Sequence, residues 1–156
     1  MKNLCTIAVC VLLTISGFTA NAQTRIPLNE PDLNKPRLFS NLPAKIAVNS
    51  LELENYFNVQ LGASTQLNLA SDVNQKFEGS LVSRSERSSD GIQTAIVRSS
   101  NFNGARLTVT KRLNDDGTVT YSGRIISFQH GDLYELQNQQ GQWFLVKKNF
   151  YDLINE

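Results

Sequence analysis

Cysteine is almost missing from this chain. The two present, Cys5 and Cys10, sit close to the N-terminus, so loss of a leader would leave no thiol. Disulfides, thiolate nucleophiles and cysteine-based zinc sites are then excluded from the remainder. Histidine is as scarce. His130 is the single one, and it lies in a His-Gly-Asp turn that reads as solvated loop. A Ser–His–acid triad would have to use it, yet no Gly-x-Ser-x-Gly elbow occurs. A zinc site needs three or four ligands, and His130 could add only Asp132. Asp115-Asp116-Gly117 lacks the acidic spacing and closing Glu of a calcium loop and reads as a hairpin turn. No Gly-rich phosphate cradle is present. We therefore expect no catalytic residue, no metal ligand and no cofactor. The 14 acidic residues leave room for a carboxylate pair of the glycosidase kind, but no pattern singles one out.

Neither sign of charge prevails. Lys and Arg total 15 against 14 acidic residues, and the surplus disappears if Lys2 is removed. Nucleic-acid binders show a clear basic excess, so no nucleic acid is expected as partner. The polar surface comes largely from Ser, Thr, Asn and Gln, which suits a solvated sheet face. Long apolar runs are missing too, with one exception. Leu4 to Phe18 is nearly unbroken, follows Lys2, and precedes the small residues of Ala20-Asn21-Ala22. It is shorter than the ~20 residues that span a bilayer and has the form of a signal peptide cut before Gln23. A lipid anchor on Cys10 would put the bulky Val9 where a small residue is wanted. Residues 1–22 are thus read as signal peptide, and no transmembrane segment is expected in the mature chain. No Asn-x-Ser/Thr acceptor occurs. Together with the missing cysteine, this suits a bacterial periplasm or exterior, so the expected location is periplasmic or secreted.

Proline is confined to Pro27, Pro31, Pro36 and Pro43. Residues 23–43 therefore read as an extended lead-in. The alternative is that part of it docks through Leu38, Phe39 and Leu42. Residues 44–156 form the expected single β-rich domain. Asn49 and Glu52 have capping-box spacing, and Leu53, Phe57 and Leu61 make one apolar face, so a helix is predicted from Ser50 to Leu61, ended by Gly62. Beyond it the period falls to two. Ala105, Leu107 and Val109 alternate with Arg106, Thr108 and Thr110, and further strands are predicted at 66–69, 76–85, 93–99, 118–128, 132–138 and 142–148. Turn residues separate them, at Asn103-Gly104 and Gln140-Gly141 for example. A short helix is expected from Phe150 to Glu156. The fold class is mainly β (α+β): an antiparallel meander closing into a small barrel or sandwich, with one N-terminal helix.

An internal duplication is one reading of two matches. Phe77-x-Gly79 with Leu81 resembles Tyr121-x-Gly123 with Ile125, and Asn101, Gly104, Leu107, Val109 and Lys111 match Asn138, Gly141, Phe144, Val146 and Lys148. Chance likeness between glycine-turned hairpins is the other reading. Gly79 and Gly123 suggest bulges or tight bends inside strands. The expected core is Phe77, Leu81, Ile96, Leu107, Val109, Tyr121, Ile125, Leu133, Leu136, Phe144 and Val146. Each such burial is worth roughly 1.5–3 kcal/mol, enough to dispense with disulfides.

Candidate binding residues come from two groups. Phe128, Tyr134 and Trp143 lie near strand ends, where aromatics on one face could stack on a sugar or peptide. Arg84, Arg87, Arg98, Arg106 and Arg124 recur on strands and could form a basic stripe for carboxylates or sulfates. Tyr134, Trp143, Arg106 and Arg124 are the chosen site residues. Ordinary core filling and solvated strand faces account for the same residues.

The run Gly131-Asp132-Leu133-Tyr134-Glu135-Leu136 with Trp143 to Leu153 resembles uncharacterised small exported bacterial proteins, a likeness that implies no activity. The succession of an aromatic-x-Gly strand, a Gly-containing middle and the Tyr134-x-Leu136 strand is similar to β-rich propeptides of secreted metalloproteases, though no cysteine switch is present. The reading reached is an exported, non-catalytic binding or interaction domain for an unknown protein, peptide or glycan. Its alternatives are a prodomain-like inhibitor or chaperone of an exported hydrolase, and a small carboxylate-dependent hydrolase.

Overall fold

A computed structural model describes residues 35–70 and 75–150. The expected signal peptide (residues 1–22), residues 23–34 of the lead-in and residues 151–156 of the expected final helix lie outside the described residues. Among the described residues, eight strands form one antiparallel sheet, curled into a half-barrel, with one α-helix. The order in the chain is β1 (Lys45–Val48), α1 (Ser50–Asn58), β2 (Ser64–Asn68), β3 (Lys76–Arg87), β4 (Ile92–Ser99), β5 (Arg106–Leu113), β6 (Val119–Ser127), β7 (Asp132–Gln139) and β8 (Gln142–Asn149). The order in the sheet is β1-β8-β7-β6-β5-β4-β3-β2, so every strand from β2 onward pairs with its successor and β1 closes onto β8. Among the described residues, no helix is long and apolar enough to cross a membrane.

The helix obeys its capping signal only in part. The Asn49 side chain accepts from Leu51 N at 2.9 Å, as an N-cap should. Glu52 does not complete a capping box; its carboxylate accepts from Asn68 Nδ2 at 2.5 Å and ties the helix to β2 instead. The helix ends at Asn58, short of the expected Leu61, because Val59 is already extended. Leu53, Tyr56 and Phe57 bury its inner face.

The strands alternate, and one interruption matters. Leu81 faces Val97 and Ser83 faces Ile96, so Val82 is an extra residue on β3. Such a bulge reverses the alternation. Leu81 points inward before it and Arg84, opposite the buried Ala95, points inward after it. Arg84 Nη1 then donates to Phe57 O at 2.9 Å and Val59 O at 3.0 Å. A guanidinium on the last carbonyls of a helix satisfies acceptors that have no intrahelical donor. Arg84 is therefore a helix cap on the concave side and no member of an outer arginine stripe.

Gly79 and Gly123 are positions of close backbone approach, and neither is the bulge. A Cβ on Gly123 would lie 2.5 Å from Thr108 O, and one on Gly79 would meet Arg98 O even more closely. Adjacent strands close over these two positions, which lets the sheet curl. Both glycines face inward, with Phe77 and Tyr121 on the same side. The second repeat match behaves differently. Leu107 and Val109 face inward, whereas Phe144 and Val146 face outward, opposite Ala47 and Lys45. No single pseudo-twofold relates both matches.

The core runs through Phe77, Leu81, Val97, Leu107, Ile125 and Leu145 beneath the helix. Ile96, Phe144 and Val146, expected inside, are half-buried on the convex side, and Ala95, Val97 and Leu145 occupy the inner positions. Leu133 is buried, but in a separate outer cluster with Ile126 and Phe150. Residues 35–43 dock, as the alternative for the lead-in had it. Phe39 is 1% exposed and packs edge-on against Phe102 at 5.2 Å. Lys147 Nζ donates to Phe39 O at 2.6 Å and Leu42 O at 3.0 Å, and Leu38 N donates to Asp132 Oδ2 at 2.5 Å. Arg37 reaches Gly131 O.

Candidate functional site

The sheet separates the four sequence-chosen site residues. Tyr134 and Trp143 lie on its concave side, in the phase of Leu136 and Leu145. Arg106 and Arg124 lie on the convex side, opposite Ile126 and Thr108. Tyr134 is fully buried, its hydroxyl donating to Pro43 O at 2.6 Å and its ring 5.6 Å from that of Phe39. It anchors the docked lead-in and has no face free for a ligand. Trp143 is half-buried at the rim of the concave side.

What positions Trp143 is a polar group that spacing did not reveal. Glu54, on α1, accepts from Lys111 Nζ at 2.5 Å and from Tyr121 OH at 2.6 Å. The Tyr121 ring in turn meets Trp143 edge-on at 5.5 Å. These hydrogen bonds, Lys111 first and Tyr121 second, hold the Glu54 carboxyl below its ordinary pKa. A signal for this group did exist. Ala105, Leu107 and Val109 set the inward phase of β5, and Lys111 continues it. A charge in a buried phase needs a partner.

Beside Trp143 lies a cleft of about 580 Å³ between the start of α1, the end of β1 and the β7–β8 turn. Val48, Asn49, Glu52, Asn68, Gln142 and Trp143 line it. Its lining mixes amide, hydroxyl and aromatic groups with the aliphatic Ala47 and Val48, and Glu52 is the one ionisable side chain among the described residues lining it. No family model, no curated protein and no solved structure matches this chain. The site must be read from its own chemistry.

The nearest approach to a catalytic pair is elsewhere. Ser127 Oγ lies 2.9 Å from His130 Nδ1. Ser127 is 0% exposed, however, so its hydroxyl cannot meet a substrate, and the pair braces the β6–β7 turn. Among the described residues, no three His, Cys, Asp or Glu side chains gather as metal ligands would.

Tyr56, Tyr121 and Tyr134 share one property. Burial, first among the causes, raises all three hydroxyls above the ordinary value, Tyr134 to about 12. A raised folded-state pKa contributes stability that is complete below the unfolded value of about 10 and is lost as pH climbs through the folded one. Alkaline unfolding is therefore expected between about pH 10 and 12. Tyrosinate absorbance followed with circular dichroism checks this: the three should ionise together with the loss of sheet signal. Ionisation of all tyrosines near the unfolded value with the sheet intact would contradict it.

Proposed function

We propose that this chain is an exported, non-catalytic binding domain whose concave cleft receives a short neutral saccharide. The carrying observation is the single tryptophan, Trp143, standing as one wall of a cleft whose polar side chains are Asn49, Ser50, Glu52, Asn68 and Gln142. Sugars offer an apolar ring face for an aromatic and hydroxyls for planar polar groups. The wall is preorganised, because Trp143 leans on Tyr121 and Tyr121 is held by Glu54. A preorganised site loses less entropy on binding. Glu52 alone supplies a carboxylate among the described lining residues, and glycoside cleavage of the usual kind needs two. The signal-peptide reading of residues 1–22 supports export to the periplasm or beyond.

The test uses the exported protein, whose mass should place its first residue at Gln23. Trp143 fluorescence and calorimetry are followed against a panel of neutral oligosaccharides. A saturable fluorescence change is expected, with affinity at least about tenfold weaker for Trp143→Ala, the loss of one aromatic stacking contact. A panel giving neither heat nor fluorescence change would sink the saccharide reading. Shortened oligosaccharides after incubation would replace it with the hydrolase.

A further inference from the structure

We propose that the convex face of β4, β5 and β6 is a docking surface for an extended acidic peptide segment. This surface is separate from the cleft and does not depend on it. The described arginines divide into two groups. Arg37 donates to Gly131 O, Arg84 caps α1, and Arg87 pairs with Asp90 at 3.2 Å. The side chains of Arg98, Arg106, Arg112 and Arg124 make no hydrogen bond or ion pair, although the charge of Arg112 contributes to holding the Asp90 carboxyl below its usual range. All four stand on the convex face. Arg98 is directly opposite Arg106, Arg106 opposite Ile126, Arg124 opposite Thr108, and Arg112 opposite Thr120.

The Arg98–Arg106 juxtaposition is unfavourable in the isolated protein. Ser99 N donates to Ala105 O at 3.0 Å, which makes the neighbouring pair the hydrogen-bonded one. Arg98 and Arg106 thus occupy a non-bonded position, where Cα atoms approach to about 4.5 Å. Like charges placed so are destabilising. Arg124 adds a third charge on the diagonal, at about 7–8 Å. Local carboxylates do not relieve it. Glu135, opposite Arg124, is taken by Gln137 at 2.9 Å and Lys148 at 3.8 Å. Glu78, diagonal to Arg98, forms no ion pair with it. The carboxylates of α1 are engaged elsewhere, Glu52 with Asn68 and Glu54 with Lys111 and Tyr121 on the concave side.

An anion set between Arg98 and Arg106 would remove their repulsion, and guanidinium forks take carboxylates bidentately. An extended peptide repeats its side chains on one face every two residues, about 6.6–6.8 Å. That step is close to the distance from the Arg98–Arg106 pair to Arg124, so alternate acidic side chains meet successive charges. Between Arg106 and Arg124 the face carries Thr108 and the buried Ile126, and Thr110 and Ser122 continue it toward Arg112. Phe128, 62% exposed and edge-on to Phe150 of the outer cluster at 5.7 Å, borders the arginines beyond Ile126, on the side away from Arg124.

Fluorescence anisotropy of a labelled decapeptide alternating Glu and Ala, titrated with the full chain, tests this. Binding is expected, weakening as salt is added. The R98Q/R106Q double variant should bind about tenfold more weakly or worse, since charge-assisted bonds are lost. Trp143→Ala should bind as wild type. The double variant should melt at or above the wild-type temperature, because a repulsive pair is gone. Three results overturn the proposal: affinity indifferent to R98Q/R106Q, a double variant that melts lower, or no peptide binding. If a sulfated polysaccharide, a DNA duplex or an anionic vesicle binds through these arginines while the peptide does not, the peptide is the wrong occupant and the proposal fails.

Discussion

Replacing Phe39 by alanine is expected to lower stability by about 3–5 kcal/mol, the usual cost of emptying a buried aromatic site. Phe39 belongs to the segment that reads as a loose lead-in, so nothing in its local sequence announces such an effect. In the fold its ring is 1% exposed between Phe102 and Tyr134. Its backbone oxygen also receives Lys147 Nζ at 2.6 Å. The site cannot collapse easily, because Tyr134 is pinned to Pro43 O and Lys147 to Leu42 O. Small domains hold about 5–15 kcal/mol in all, so the melting temperature should fall by roughly 10–20 °C. Thermal melts of Phe39→Ala against wild type measure it. A variant that melts within a degree or two of wild type would mean that residues 35–43 are not part of the folded core.

Gly79→Ala should cost about 2–3 kcal/mol by forcing matter into a filled space. Its Cβ would lie against Arg98 O and 2.9 Å from Val97 Cγ1. The carbonyl is backbone and cannot turn aside as a side chain would, so β4 must move away from β3. Gly123→Ala meets Thr108 O in the same way and should also destabilise. Ser122→Ala, exposed on the same strand, serves as control and should be nearly neutral. Urea unfolding of the three variants decides the matter. Equal midpoints for Gly79→Ala and Ser122→Ala would show that the curl of the sheet does not depend on the glycine.

By itself the sequence determined the local structure well. Alternation along residues 105–110 placed β5, and Gln140-Gly141 placed the β7–β8 turn, where both residues take positive φ. Asn49 announced the start of α1. These features depend on neighbours within a few residues, and so can be read along the chain. The short β1 could not, because four residues carry little periodicity and its pairing with β8 is remote. Residues 143–147 are apolar on both phases until Lys147, so alternation could not say that Leu145 faces in and Phe144 out. The registers Leu145 with Leu136 and with Ile46 decided it.

The candidate sites show the same division. Tyr134, Trp143, Arg106 and Arg124 were legible as residue types suited to binding. Only the tertiary structure buried Tyr134 under the lead-in and set Trp143 beside a cleft. It also turned Arg84 inward through one extra residue on β3, and left Arg98, Arg106 and Arg124 as neighbours on the convex face. The reason is physical. Whether a polar or aromatic side chain is free depends on what lies across the strand or over the sheet, and those partners are as far as 94 residues away in sequence.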